Sequence, residues 1–86
     1  MQTPQKILLD AREMEHPTPL EQAMKILQRL EVDNYFYMIH RKNPLPLIDL
    51  AQEHQLQTLS HEDKEGVWHI LISKNPNHPL EELLHV

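Results

Sequence analysis

The segment Leu8-Leu9-Asp10-Ala11-Arg12-Glu13-Met14-Glu15-His16-Pro17-Thr18-Pro19-Leu20 constrains the fold more than any other. An apolar run ends at Asp10, a short charged loop follows, and prolines then lock the chain into a helix start. Thr18 and Glu21 give the T-x-x-E pattern of a capping box, with Pro19 at the first helical position. Such a start points unpaired backbone N–H groups at whatever lies in front of it, and His16 lies there.

The same logic returns at Arg41-Lys42-Asn43-Pro44, where Asn43 suits an N-cap and Pro44 the first helical residue. Pro46 still falls in the first turn, where proline is tolerated. Around these two starts the remaining elements fall into place. Residues 6–10 read as an internal strand, and 18–30 as a helix with Leu20, Ala23, Met24, Leu27 and Leu30 on one face. Residues 35–40 are rich in aromatic and β-favouring types and read as a second strand. The second helix runs from Pro44 to about residue 55, with Leu47, Ile48, Ala51 and Leu50 directed inward.

Residues 56–62 and 67–74 form a closing hairpin around the turn Asp63-Lys64-Glu65-Gly66. Gly66 is the only glycine in the chain and suits a positive-φ position there. In the last strand Trp68, Ile70 and Ile72 alternate with His69, Leu71 and Ser73.

The order βαβαββ makes the first three strands run in one direction and the fourth antiparallel to the third. Right-handed crossovers put both helices on one face. The expected fold is therefore α+β: a two-layer sandwich of a mixed four-stranded sheet with two helices on one face. Residues 1–5 form a polar, flexible lead, 6–74 the domain, and 75–86 a C-terminal tail with a short helix at 80–84. The free sheet face needs a cover, either Leu80, Leu83 and Leu84 of the tail or a second copy in a homodimer.

Composition narrows the function. With 86 residues there is one small core, and with no cysteine there are no disulfides, thiolate metal sites or cysteine nucleophiles. The net charge of −5 argues against nucleic acid as a partner, since such binding rests on neutralising phosphates. No segment has the apolar length of a membrane helix and no secretory leader is evident, so the membrane is not an expected partner and the expected location is cytoplasmic.

Strand direction then points to a site. The C-terminal ends of the parallel strands and the N-termini of both helices meet at one edge, the edge that ligands favour in open α/β sheets. It receives Asp10, Arg12 and His16 from the first connection and His40, Arg41 and Lys42 from the second. His61, Trp68 and His69 arrive near the same edge.

One reading is an anion or partner site at Asp10, Arg12, His16, His40, Arg41 and Lys42, with helix dipoles favouring a neutral His16 imidazole. A metal ion or haem on His16, His40 and His69 is the other functional option. The competing structural reading pairs Arg12 with Asp10 or Glu13 and leaves Arg41 and Lys42 solvated. No nucleophile elbow, glycine-rich phosphate loop or H-E-x-x-H helix is present. His54, near the far end of the second helix, suits a structural role, and His78 and His85 lie in the tail.

Three blocks carry a resemblance: Leu9-Asp10-Ala11-Arg12 with Pro17-x-Pro19-Leu20, then His40-Arg41-Lys42-Asn43-Pro44-Leu45-Pro46-Leu47, then Gly66-Val67-Trp68-x-Ile70-x-Ile72. Together they cover roughly residues 6–74. The chain resembles the TusA/SirA-like sulfur carriers, and within that superfamily a cysteine-free, uncharacterised branch (a domain of unknown function). The resemblance implies the same βαβαββ two-layer fold.

In the sulfur carriers a C-P-x-P motif opens the first helix, and its cysteine passes a persulfide to a partner. Here the motif reads His16-Pro17-Thr18-Pro19. Imidazole cannot carry sulfane sulfur by that chemistry, so relay through His16 is excluded. Members of the cysteine-free branch occur alone or joined to haemerythrin-like domains, which suggests a redox or nitrogen-oxide setting. The expectation is a small non-enzymatic binding or accessory protein with a protein partner or small anion. The alternatives are a histidine-based metal or haem protein and, third, a His16-dependent enzyme acting on a small anion.

Overall fold

A computed structural model describes residues 4–84. The order is β1 (Gln5–Asp10), α1 (Thr18–Leu27), β2 (Asn34–His40), α2 (Leu45–Glu53), β3 (Gln57–Glu62), β4 (Trp68–Ser73) and α3 (Leu80–Leu83). The first three residues of the expected lead, and His85 of the tail, lie outside the described residues.

The four strands form one mixed sheet in the order β1-β2-β4-β3. Strand β1 pairs parallel to β2, and β4 runs antiparallel to both β2 and β3. The first three strands thus share a direction. Strand β4 lies between β2 and β3, so the end of β3 does not adjoin the ends of β1 and β2.

Alternation along each strand divides the sheet into two faces. Phe36, Met38, Ile70 and Ile72 pack with Ala23 of α1 and with Leu47, Ile48 and Ala51 of α2. Fully burying a residue such as Leu47 contributes about 1.5–3 kcal/mol. On the opposite face Tyr35, Tyr37 and Leu71 pack against Leu80, with Leu83 and Leu84 beside them. The tail folds back and is the cover this face has, although Leu8 stays 54 % exposed. No helix among the described residues is long and apolar enough to cross a membrane.

Several local expectations shift. In α1, Met24 is exposed and Ile26 packs against the core instead. The helix also ends at Leu27, and the chain tightens through Arg29 N–H to Ile26 C=O before Leu30 is buried. Helix α2 ends at Glu53 with His54 as its C-cap, and Gln55 turns the chain at φ 60°. Gly66 takes the expected positive φ, 81°.

The capping box is not formed. Pro17 C=O accepts the first helical bond, from Glu21 N–H at 3.1 Å, so Pro17 is the N-cap and Thr18 already lies in the helix. Its hydroxyl is one residue too late to cap. Asn43 errs in the other sense. Pro44 C=O accepts from Ile48 N–H at 3.0 Å, so Pro44 is the N-cap and Asn43 falls outside the helix. Both starts therefore settle on one pattern, Pro-x-Pro-Leu, at residues 17–20 and 44–47. The His16–Pro17 peptide is cis.

Candidate functional site

The two Pro-x-Pro-Leu starts stand side by side over the ends of β1 and β2 and enclose a pocket of about 490 Å3. Met38 and Leu47, both fully buried, lie among its lining residues, with half-buried Met14 and Leu20. Exposed Arg12, His16, Arg41 and Lys42 line it as well, as does half-buried His40. Glu15 is the acidic residue of the lining and is exposed.

The helix starts offer fewer donors than the sequence suggests. Thr18 N–H bonds to Glu15 C=O, and Leu45 N–H to Asn43 C=O. Pro19 and Pro46 have no N–H to give. This leaves one amide at each start, Leu20 and Leu47, with no partner among the described residues. The charge of each dipole persists, but the donor set is two N–H groups rather than a cradle.

His40 is held in one tautomer. Its Nδ1 accepts from the Arg41 N–H at 2.8 Å and the Lys42 N–H at 3.3 Å, so the proton of the neutral ring sits on Nε2. Burial, and then the nearby Lys42 charge, push its pKa below the usual value of 6.5. Near neutral pH His40 is therefore an uncharged ring with a single N–H to donate. Two residues away along β2, Met38 faces the same side of the sheet as His40, a relation that period-2 alternation alone would have given.

The cations differ in how far they are spent. The Arg12 guanidinium forks onto Asp10, with Nε to Oδ1 at 2.9 Å and Nη2 to Oδ2 at 2.7 Å. The side-chain hydrogen bonds come first, then the Arg12 amide, and together they hold the Asp10 carboxyl down at about 2. Arg41 lies 3.6 Å from the exposed Glu13. Lys42 has no ion pair among the described residues. Asn43 Oδ1 is buried beside the pocket with no hydrogen-bond partner among the described residues.

Five of the six expected anion-site residues, Arg12, His16, His40, Arg41 and Lys42, thus reach one pocket. Asp10 serves it indirectly, by orienting Arg12. His69 is on the other face of the sheet. It pairs with Ile39, one residue before His40, and alternation sends the two histidines to opposite sides. Its ring contacts the Tyr37 hydroxyl at 2.7 Å through Nδ1 and Asp63 at 3.0 Å through Nε2. Asp63 is kept ionised first by that bond and then by the Val67 amide, so Nε2 carries the proton and donates it.

Among the described residues no three His, Asp or Glu side chains converge as a metal set, and the trio His16, His40 and His69 is divided by the sheet. His61, in register with His69, is exposed at the far edge strand.

The chain is thus a small two-layer α+β domain with a pocket between its paired helix starts. Residues 8–74 match the family described as "Uncharacterized conserved protein (DUF2249)", and the chain belongs to it. No curated protein and no solved structure matches the chain.

Proposed function

We propose that this chain is a small non-enzymatic binding module, built on a TusA/SirA-like frame without the sulfur-accepting cysteine. Its pocket between the two Pro-x-Pro-Leu starts holds an anionic group, that of a partner or of a small anion. The observation that carries this reading is the placement of Lys42, without an ion pair among the described residues, beside the neutral His40 N–H donor in the pocket lining. Two open helix amides add to the positive potential. None of these groups is an activated nucleophile or a base with an orienting partner, which is why binding is favoured over turnover.

An exposed cation contributes only about 0.2–1 kcal/mol to such a contact. Two or three such terms give weak, fast-exchanging recognition of a bare anion.

The test is an NMR titration with acetate against chloride at constant ionic strength. Saturable shifts at the Leu20, Lys42 and Leu47 amides are expected, and they shrink in Lys42→Ala. Shifts that never saturate, or that persist unchanged in Lys42→Ala, would overturn the reading.

A further inference from the structure

We infer that the pocket takes a small organic acid with an apolar body, its carboxylate at Lys42 and His40 and its hydrocarbon portion over Met38 and Leu47. This deepens the reading above and rests on it. Three features of the pocket select the class. Its volume, about 490 Å3, is far larger than a simple inorganic anion fills and lies within the ~300–1,000 Å3 range of small-molecule sites. Its charged side chains, Arg12, Glu15, Arg41 and Lys42, are all exposed. Beneath them the side chains are those of Met14, Leu20, Met38, Leu47 and prolines, an apolar surface that would hold water poorly.

Methionine suits such a wall, because its unbranched thioether adapts to hydrocarbon of varied shape. The recognition is divided accordingly. The head group is oriented by the Lys42 ammonium and the His40 N–H, and the body supplies most of the affinity by leaving water.

The experiment compares octanoate, acetate and octanol by calorimetry and amide NMR on the full chain. Octanoate is expected to bind one to one, with shifts clustered at residues 14–20 and 38–47, and about tenfold or more tighter than either acetate or octanol. Lys42→Ala should weaken octanoate by up to about fivefold while leaving octanol unchanged. Met14→Trp, which fills the pocket from a half-buried position, should abolish octanoate binding, and its NMR spectrum reports whether the fold is kept.

Equal, Lys42-dependent binding of acetate and octanoate would overturn the organic-acid inference and keep the anion reading. Equal binding of octanol and octanoate, indifferent to Lys42, would overturn both. Absence of any saturable binding by acetate and octanoate would also overturn both.

Discussion

His40 and His69 sit one register step apart on neighbouring strands, yet they face opposite sides of the sheet. His69 has both ring nitrogens engaged, by Tyr37 and Asp63, and is buried. Asp63 in turn accepts from the Glu65 and Val67 amides and closes the β3–β4 turn. Lys6 lies over the Tyr37 ring at 5.0 Å. That face is a satisfied polar tie between β2, β4 and the turn, capped by the tail. His40 has one nitrogen spent on backbone amides and the other free to face a pocket. The difference teaches how to separate a structural histidine from a candidate ligand-binding one. What counts is the number of ring nitrogens already committed, and neither residue type nor position at the sheet edge supplies that.

The largest effect expected is on the helix-covered face. Leu47→Ala, in the floor shared by core and pocket, should lower unfolding free energy by about 2–5 kcal/mol in a denaturant melt. A loss below about 1 kcal/mol would mean the pocket floor is not part of the packed core.

Next comes the polar tie. His69→Ala removes two hydrogen bonds in a buried position and should cost about 1–3 kcal/mol. If it costs no more than His40→Ala, the contrast between the two histidines fails.

His40→Asn preserves an acceptor near Nδ1, so its stability at neutral pH should change little. Its signature is in acid. Folded His40 binds its proton less readily than the unfolded chain does, so between the two pKa values the unfolded state carries more protons. Stability therefore falls as pH drops through the usual value of 6.5 and levels off below the depressed one. His40→Asn should flatten that part of the curve, and a His40 ring titrating at or above 6.5 by NMR would contradict it.

The smallest effect belongs to Lys42→Ala, which should leave the melting temperature unchanged and alter only ligand binding. A clear drop in Tm would show that Lys42 has a structural role.

Much of this was legible in the chain. Residues such as Ile70 and Ile72 alternate with Leu71 and Ser73 because a strand has a period of two, and Gly66 was the one residue free to take φ 81°. The ends of β1 and β2, and the proline-led starts after them, followed from order and direction. Caps were less legible. Thr18 and Asn43 have good capping side chains, but which carbonyl accepts the first helical bond depends on how the loop closes, and the prolines at 17 and 44 took that place.

The Tyr37–His69–Asp63 tie joins residues 32 and 6 positions apart, and no local pattern signals it. The sequence offered Asp10 and Glu13 alike as partners of Arg12; the structure chooses Asp10, gives Glu13 to Arg41, and leaves Lys42 without an ion pair among the described residues.

The sequence by itself determined the βαβαββ order, the shared direction of the first three strands and the convergence of Arg12, His16, His40, Arg41 and Lys42. These are matters of periodicity and chain direction, which local residue choice controls. Only the tertiary structure decided that β4 enters between β2 and β3, that His69 turns away from His40, and which polar atoms at the pocket are already satisfied. Those outcomes depend on strand register and on contacts between residues far apart in the chain. A single side chain's remaining hydrogen-bonding capacity is set by its neighbours in space.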